Sequence, residues 1–248
     1  MVSAVERIFL NVMIQIGVFP NIFFVPKPFK IYEFKEIEKD INFLKTDLVL
    51  DLGCGLGVQT LCLGKKCGKV IGIDIDCDAI RSAEHLSRKT QRKITSEFKC
   101  CSLEEANFPR DHFDKVFSIC VIEHIDDYEG VIDEIYGVIK PGGVFAFSAD
   151  ALTVIDSPEL LDKHRCDAHV TKYFSPNELY QLLTRKGFKN IAVYPIFKSN
   201  LARHLFMDAI KDGFKIKRTF IIDYLRLSIS ERYTRNRDGI FIIAKCTK

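Results

Sequence analysis

Apolar and polar residues follow two kinds of pattern along the chain from residue 48 onward, one typical of strands and one typical of helices. Short apolar runs bounded by glycine or charged residues predict buried strands. There are seven of them, over residues 48–51, 69–74, 96–101, 115–119, 144–148, 191–197 and 239–246. Apolar residues at helical spacing predict helices over residues 58–63, 76–87, 127–139 and 175–186. Strands that alternate with helices in this way indicate an α/β fold, with a mostly parallel sheet and helices on both faces.

Helix start and stop signals support these bounds. Asp76 is a candidate N-cap for the helix that follows it. Ser175, Pro176 and Glu178 together form a helix start with a capping residue, a first-position proline and a glutamate three residues on. The Lys-Pro-Gly-Gly run at 140–143 is expected to end the helix before it.

Two stretches lie outside this alternation. The apolar residues before position 45 predict an N-terminal helical cover over 1–45, and residues 198–237 predict a helical insertion before the last strand. We therefore expect one domain over 1–248. It comprises this cover, a ligand-binding core over 46–150, and a second half over 151–248 that contains the insertion.

The apolar stretch from Ile8 to Phe24 bears on location. It is too short and too interrupted by polar residues, glycine and proline to cross a bilayer, which takes about 20 apolar residues. Glu6 stands beside Arg7 at its start and no small-residue cleavage site follows, which argues against a signal peptide. The sequence predicts a cytoplasmic protein, with peripheral contact at a membrane surface as the alternative.

Composition changes this picture only where charge is unevenly distributed. The 248 residues carry 36 basic and 33 acidic side chains, a net charge of +3 that implies no nucleic-acid partner. The insertion 198–237 alone holds ten basic and four acidic residues, so it is +6 and the rest of the chain is −3. This favours a lid over a pocket, or a surface that faces anionic lipid or an anionic substrate. A lid with a solvated basic face is the plainer interpretation.

The nine cysteines are scattered along the chain. Their odd number argues against a disulfide framework, and their spacing does not match a structural zinc site. We expect most of them to lie in the core as small hydrophobic side chains.

The segment from Asp51 to Gly57 carries the candidate chemistry. It reads Asp-Leu-Gly-Cys-Gly-Leu-Gly and joins the first predicted strand to the first predicted helix. Glycines let a backbone turn tightly and let a ligand approach closely, and a helix N-terminus offers free amides. Asp74 ends the next strand, seventeen residues after Gly57, where an acid can accept hydrogen bonds from both ribose hydroxyls.

In these residues the chain resembles the class I S-adenosylmethionine-dependent methyltransferases, and among them small-molecule enzymes of the type 11 group. The resemblance covers about residues 45–150 and rests on segments 51–57, 72–76, 113–116, 121–125 and 139–143. Residues 169–188 look like the helix and Gly-Phe turn that follow in that family. The resemblance implies a Rossmann-like seven-stranded sheet with an antiparallel last strand, and S-adenosylmethionine as cofactor. An NAD site is less well matched, because the loop reads G-x-G-x-G and not G-x-G-x-x-G.

The resemblance also implies roles for individual residues. Asp51 would lie near the methionine amino group through water, Asp74 would hold the ribose, and Ile75 would pack on adenine. Leu103 would offer its backbone amide to the adenine edge, although the preceding Ser102 departs from the acid common in relatives. The remaining cofactor residues would be Gly53, Cys54, Gly55 and Gly57 in the glycine-rich turn and Cys120 facing the sulfonium.

Three histidines are candidates for a catalytic base. A hydroxyl acceptor must lose its proton, whereas a neutral amine or a thiolate needs little more than placement. His124 follows the fourth strand, and His164 and His169 belong to a polar loop after the fifth, where the carboxyl ends of strands line the site. Helix packing at His124, and capping within a solvated loop at the other two, are the alternatives. No paired metal-binding acids are evident, so no metal is expected.

Missing motifs narrow the acceptor. The chain has neither the Asn-Pro-Pro-Tyr motif of amino-directed nucleic-acid methyltransferases nor the Pro-Cys pair of the cytosine-5 type. We expect methylation of a small molecule at a hydroxyl oxygen, on a sugar, quinone, polyketide or lipid-linked acceptor, with no partner protein. The alternatives are methylation at carbon or nitrogen, an RNA or protein methyltransferase that docks through the basic insertion, and a non-catalytic relative.

Overall fold

A computed structural model describes the backbone of residues 4–90 and 94–248, and side chains from residue 8 onward within those ranges. The first three residues of the predicted 1–45 cover lie outside the described residues. The seven strands are β1 (Leu48–Leu52), β2 (Lys69–Asp74), β3 (Ser96–Cys100), β4 (Phe113–Ile119), β5 (Ile139–Asp150), β6 (Lys189–Ile196) and β7 (Phe241–Thr247). The helices up to β5 are α1 (Ala4–Gln15), α2 (Pro28–Glu38), α3 (Val58–Gly64), α4 (Cys77–Thr90), α5 (Leu103–Ala106) and α6 (Tyr128–Val138). Those after it are α7 (Pro158–Ala168), α8 (Pro176–Arg185), α9 (Asn200–Lys211) and α10 (Phe220–Tyr233).

The strands form one sheet in the order β3-β2-β1-β4-β5-β7-β6. Strand β7 runs antiparallel to both of its neighbours, and the other pairings are parallel. The predicted seven-stranded sheet with an antiparallel last strand is confirmed. The strand order reverses between β1 and β4, and the crevice at the carboxyl ends of strands there is the usual ligand site of such sheets.

The central strands of the sheet are buried on both faces. Along β1, Val49 belongs to one apolar cluster, and Leu50 and Leu52 belong to the other. Successive residues of a strand point to opposite faces, so a strand covered on both sides needs an almost continuous apolar run. This is why the sequence pattern identified the strands so readily.

Most helix signals operate as expected. The Asp76 carboxylate accepts hydrogen bonds from the backbone amides of Asp78 and Ala79, and the Ser175 hydroxyl accepts one from Glu178. Helix α6 ends at Val138, just before the Lys-Pro-Gly-Gly run, as expected, but residues 140–143 themselves lie within β5 at a register shift against β4. The strand therefore begins earlier than the apolar pattern indicated.

The predicted polar loop after the fifth strand is a helix, which corrects that expectation. Helix α7 begins after Ser157, whose hydroxyl accepts a hydrogen bond from Leu160, and it ends at His169 with φ of 55°. Polar residues cover most of α7, so its apolar periodicity is weak, and the start signal of serine followed by proline was the available clue.

The insertion is helical, as predicted, and packs against the N-terminal cover. Lys35 on α2 donates a hydrogen bond to the Tyr224 hydroxyl on α10 at 2.5 Å. The Phe29 ring of α2 packs edge-on against Phe197 and against Phe206 of α9. Among the described helices, none has both the length and the apolar character needed to cross a membrane.

The cysteines follow the prediction only in part. Cys54, Cys62, Cys67 and Cys246 are buried and free, as small core side chains should be. Cys77 and Cys100, however, form a disulfide between the start of α4 and the end of β3. The sequence did not reveal this pair, because the total number of cysteines is odd and a single bridge between two neighbouring elements has no characteristic spacing.

Candidate active site

The glycine-rich turn after β1 is fixed to the end of β2. The backbone amides of Gly53 and Cys54 both donate to the Ile73 carbonyl, at 2.9 and 3.0 Å. The Cys54 side chain is buried against the position of Gly72, so its backbone and not its thiol borders the turn. The turn is therefore held at the carboxyl edge of β1 and β2, which we call the cofactor edge (residues 51–57 and 74–76).

Asp74 links the turn to the next loop. Its Oδ2 accepts a hydrogen bond from the Gly55 amide at 2.8 Å, and its Oδ1 accepts one from the Asp76 amide at 2.9 Å. Each carboxylate oxygen keeps a further lone pair for a ligand. The side chain is only partly buried, so a pair of ligand hydroxyls has access to it.

Asp51 is fully buried beneath the turn. The Thr60 hydroxyl donates to its Oδ2 at 2.5 Å, and the Gln59 amide donates to its Oδ1 at 3.1 Å. Burial raises the pKa of Asp51 to about 7, with Asp74 adding to the rise and the two hydrogen bonds opposing it. A cationic group near the turn would favour the ionised form of this carboxyl.

The three glycines of the turn all have positive φ, but they differ in surroundings. A Cβ on Gly53 would overlap the side chain of Val121, and one on Gly57 would press on Ala83 and Phe98. A Cβ on Gly55 would meet no atom within 4 Å. Gly53 and Gly57 are thus required by packing, whereas Gly55 faces open space where a ligand can approach.

The side chains expected at the adenine lie at the same edge. Ile75 is 79% exposed, which suits an apolar residue that covers a ring. Ser102 caps α5: its hydroxyl accepts a hydrogen bond from the Glu105 amide, and its own amide donates to the Glu105 carboxylate. Leu103 is the first residue of that helix, where backbone N–H groups precede the first intrahelical bond. The Cys77–Cys100 disulfide crosslinks the two loops that carry these groups.

These features fit S-adenosylmethionine. The edge offers open space at Gly55, a carboxylate at Asp74 for two hydroxyls, an exposed apolar side chain for a ring, and a buried acid near a cationic end. A groove of about 730 Å³ between α1 and α4 reaches this edge at Leu56 and Asp76.

A second polar group of side chains lies at the carboxyl ends of β4 and β5. Cys120 follows β4 with φ of 50°, and its amide donates to the Ser148 hydroxyl at 3.0 Å. Helix α2 brings in Glu33, which is fully buried. Its Oε1 accepts a hydrogen bond from the Ser148 hydroxyl at 2.5 Å and lies 2.9 Å from the Cys120 sulfur. Cys120 therefore lies next to an acid that the sequence did not identify, and its place facing the sulfonium stays a prediction.

Two further acids, a lysine, a histidine and a tyrosine complete what we call the acceptor cluster (Lys30, Glu33, Cys120, Glu123, Ser148, Asp150, His164 and Tyr173). Burial raises the pKa of Asp150 to about 7, although Lys30 opposes the rise. Burial and then Asp150 raise the pKa of Glu123 well above its usual value, and neither Glu123 carboxylate oxygen has a hydrogen-bond partner. Burial alone would lower the pKa of Lys30, but Cys120 and Glu33 raise it, and its ammonium lies 2.9 Å from Glu33 Oε2.

His164 is the one candidate histidine within this cluster. It is buried on α7, with Nδ1 3.1 Å from the Tyr173 hydroxyl and Nε2 3.7 Å from Asp150 Oδ2. The Tyr173 hydroxyl donates to the Leu161 carbonyl, so it is placed to accept from His164 Nδ1. Burial, followed by repulsion from His124, lowers the pKa of His164 to about 4. At neutral pH the ring is uncharged, with the Nε2 lone pair towards Asp150.

The other two histidines lie outside the cluster. His124 and His169 are both exposed, and His124 Nδ1 lies 3.2 Å from the His169 carbonyl. His169 ends α7 in a left-handed conformation, and His124 ends a short 3₁₀ turn at 122–124. Their positions match a structural role at the junction of these two segments.

Sequence reasoning missed Lys30, Glu33, Asp150 and Tyr173, and it treated Glu123 only as a neighbour of His124. Glu33 lies on the buried face of α2 with Ile31 and Phe34, and a charge on an apolar face was the available signal. Asp150 ends a buried strand at the edge where ligands bind. These residues come from distant segments, so no local motif unites them.

The ligand atoms of Cys120, Glu123 and Asp150 lie within 4.8 Å of one another, close enough to surround a metal ion. Lys30 already places a positive charge beside Cys120 and Glu33, and this charge would repel a metal cation bound there. The expectation that no metal is bound stays a prediction.

A seven-stranded sheet with β7 reversed, a glycine-rich turn after β1 and an acid at the end of β2 define the fold and cofactor edge of a class I methyltransferase. Residues 50–147 match the family model described as a methyltransferase domain. This part of the chain is therefore similar to the methyltransferase domains, whose cofactor is S-adenosylmethionine.

Named relatives are small-molecule methyltransferases. The chain is similar to a sterol 24-C-methyltransferase of Eremothecium gossypii, with 32% identity over 58% of this chain and 40% of that protein. It is similar to a ubiquinone biosynthesis O-methyltransferase of Bradyrhizobium sp., with 28% identity over 61% and 62% of the two chains. The matched region thus spans less than two thirds of either relative.

Solved structures extend the fold comparison beyond the matched region. Geranyl diphosphate C-methyltransferase from Streptomyces coelicolor A3(2) superposes with a TM-score of 0.64 over 88% of this chain and 79% of that one. Sequence identity is 12%, so this likeness concerns the fold alone.

Proposed function

We propose that this protein transfers a methyl group from S-adenosylmethionine to a hydroxyl oxygen of a small, largely apolar acceptor. The cofactor supplies a methyl group already activated on a sulfonium. The observation that carries the proposal is the buried acceptor cluster, at the carboxyl ends of the strands beside the cofactor edge. The cluster offers several groups that can take a proton from a hydroxyl in a site largely closed to water.

His164 and Asp150 are the groups that we assign to proton removal. His164 is neutral at pH 7 and its Nε2 has a free lone pair, while Asp150 has a pKa of about 7 and is half ionised there. Glu33 is a further acid of this cluster, and it contacts Cys120 and Ser148. His124 and His169 are exposed, and we assign them no proton transfer.

The covers support an apolar acceptor with an anionic group. A cavity of about 190 Å³ lies between the start of α2 and the insertion. Its walls are mainly aromatic or aliphatic, with lysines among them, and they include Phe29, Phe206, Phe214, Phe220, Phe241, Lys30, Lys215 and Lys217. The cavity adjoins the acceptor cluster at Lys30, and Phe241 pairs in register with Asp150. Such a wall suits a hydrocarbon chain that ends in a phosphate or carboxylate, as in lipid-linked acceptors.

The same contacts support treating residues 1–248 as one functional unit. Helix α2 of the N-terminal cover supplies Lys30 and Glu33, and the insertion closes the cavity beside them. We infer that removal of either cover would leave the core 46–150 able to hold the cofactor but not the acceptor.

Methylation at carbon is the second candidate. An alkene that accepts a methyl cation becomes a carbocation, and buried carboxylates at Glu33 and Asp150 would stabilise that charge. The sterol and geranyl diphosphate relatives are named as C-methyltransferases, whereas the ubiquinone relative is named as an O-methyltransferase. Product analysis decides between the two.

The test combines cofactor binding, product identity and pH. Purified protein would be incubated with labelled S-adenosylmethionine and three acceptors: a polyprenyl phenol, a prenyl diphosphate and a sterol. We expect a methyl ether from the phenol, and a new carbon–carbon bond in the product would favour the second candidate. Absence of binding to both S-adenosylmethionine and S-adenosylhomocysteine would refute the enzyme assignment.

The pH profile separates the two candidate bases. If Asp150 removes the proton, the rate should rise through pH 7, because the carboxyl must be ionised. If His164 does so, the rate should be flat above about pH 4. His164→Gln and Asp150→Asn should each lower kcat by about 10²–10⁴-fold if that residue is the base. His169→Gln serves as the control, and an equal loss there would contradict the assignment.

A further inference from the structure

Exposed apolar side chains are concentrated on the two covers. Thirteen large apolar side chains of the described residues are exposed, and eleven of these belong to the N-terminal cover or the insertion. The eleven are Ile8, Val12, Ile16, Ile22, Leu44, Phe214, Ile221, Ile222, Leu225, Ile229 and Tyr233. Single exposed apolar residues are normal on any protein, but a concentration of this kind marks an interaction surface.

Helix α10 shows that this exposure is not a by-product of packing. Its inward face holds Leu227 together with the acids Asp223 and Glu231, all buried. Glu231 has a structural task there, since it accepts hydrogen bonds from the amides of Lys198 and Ser199 before α9. At 100° per residue, Leu225 and Ile229 lie on the opposite side of the helix. The helix therefore buries its acids and presents its aliphatic residues to solvent.

Helix α1 presents a similar face beside it. Ile8, Val12 and Ile16 recur every four residues at and just beyond α1, and all are exposed. Phe9 on the same helix packs edge-on against Phe220 of α10, with ring centroids 5.6 Å apart. The two apolar faces thus lie on neighbouring helices.

The charge around these faces is positive. The insertion is +6 in sequence, and two of its four acids, Asp223 and Glu231, are buried. The exposed cations next to the apolar residues are Lys215, Arg218, Arg226 and Arg232. Apolar residues flanked by lysine and arginine are typical of helices that lie in the interface of an anionic bilayer.

We propose that α1 and α10 dock this protein on an anionic lipid bilayer. The docking face comprises Ile8, Val12, Ile16, Ile221, Ile222, Leu225 and Ile229 with the four cations just named. A symmetric pair of chains fits this face less well, because an isologous interface would place the four cations opposite the same four cations of the other chain. Docking is independent of methyl transfer. It would also bring the cavity, which shares Phe220 and Lys215 with this region, close to the lipid surface.

The test measures binding to vesicles with the full chain. Flotation is compared on phosphatidylcholine vesicles with and without phosphatidylglycerol. We expect strong flotation only with the anionic lipid, and Leu225→Asp should weaken it about tenfold or more, since burial of one leucine contributes that much. Leu44→Asp is the matched control, because Leu44 is 52% and Leu225 54% exposed and Leu44 lies just before β1, outside both α1 and α10. Arg226→Glu with Arg232→Glu should also weaken binding, whereas Arg110→Glu should not.

Each outcome decides the proposal. S-adenosylhomocysteine binding and thermal melting confirm that the variants are folded, and they also separate docking from the proposed activity. No flotation with anionic vesicles, or an equal loss in Leu44→Asp, refutes the proposal. A concentration-dependent dimer that Leu225→Asp dissociates, without vesicle binding by the native chain, assigns the face to a second copy instead.

Discussion

The cofactor edge and the acceptor cluster both contain acids, but they satisfy them in different ways. Asp51 and Asp74 are held by hydroxyl, amide and backbone N–H donors from one continuous stretch, residues 51–76. In the acceptor cluster, the Glu123 carboxylate has no hydrogen-bond partner, and the Glu33 carboxylate contacts Lys30, Cys120 and Ser148. The first region is preorganised for a ligand that brings hydroxyls and a positive charge. The second is a group of buried acids, some protonated and some ionised, which is suited to moving a proton.

The largest expected effect tests whether the cofactor edge, and not the acceptor cluster, provides the affinity for the cofactor. Asp74→Ala removes the carboxylate that holds Gly55 and is placed for two ribose hydroxyls. Two hydrogen bonds to a charged group are worth about 3–5 kcal/mol, so the affinity for S-adenosylhomocysteine should fall by at least about a hundredfold in calorimetry. Asp150→Ala should change that affinity only a few-fold. Asp78→Ala, at an exposed position on α4, is the control. A loss of affinity in Asp150→Ala or Asp78→Ala comparable to that in Asp74→Ala would contradict the assignment of cofactor binding to the cofactor edge.

The second effect separates packing from ligand approach within the cofactor edge. Gly53→Ala places a methyl group against Val121 at φ of 70°, and should lower the free energy of unfolding by about 2–3 kcal/mol. Gly55→Ala also has positive φ but meets open space, so it should cost only about 1 kcal/mol while weakening cofactor binding. Urea unfolding and calorimetry measure the two quantities. Equal unfolding energies for the variants would show that Gly53 is not constrained as described.

The same contrast explains how far the sequence could predict the molecule. The central strands, which are covered on both faces, are nearly continuous apolar runs, so their number and order of appearance could be predicted. The cofactor edge is local in sequence: spacing selected the glycine-rich turn and Asp74, whereas the role of Asp51 came from the resemblance to the methyltransferases, and these assignments stay predictions. The bounds of β5 and the presence of α7 were missed, since one begins in a Pro-Gly-Gly run and the other has little apolar periodicity.

The acceptor cluster could not be predicted in this way. Glu33 and His164 come from helices that are far apart in sequence, and they meet Asp150 only once the N-terminal cover and α7 pack over the sheet. Each taken alone looks like an ordinary polar residue of an amphipathic helix. The Cys77–Cys100 disulfide was hidden for the same reason, because its partners meet only through the pairing of β2 with β3.

The third effect concerns the protonated acid of the cluster. Glu123 has a raised pKa, so above its unfolded value of 4.5 the unfolded chain loses a proton that the folded chain keeps. Glu123 therefore destabilises the fold increasingly as pH rises from 4.5 towards its folded pKa. Glu123→Gln removes this dependence, so its stability relative to the native chain should be higher at pH 7 than at pH 4.5. Unfolding in urea at both pH values checks this, and a gain that is the same at each would mean that Glu123 is ionised in the fold.

The smallest effect concerns Ser102, the N-cap of α5 beside the cofactor edge. Ser102 caps α5, and loss of an N-cap hydroxyl costs about 0.5–1 kcal/mol in stability. Ser175→Ala removes an equivalent cap from α8, away from the ligand, and should cost a similar amount. If the cap also fixes the Leu103 amide for adenine, Ser102→Ala alone should weaken S-adenosylhomocysteine binding by a few-fold in calorimetry. Equal affinities in the two variants would show that Ser102 acts only on α5, and that the adenine is held by Ile75 and its neighbours without help from the capped turn.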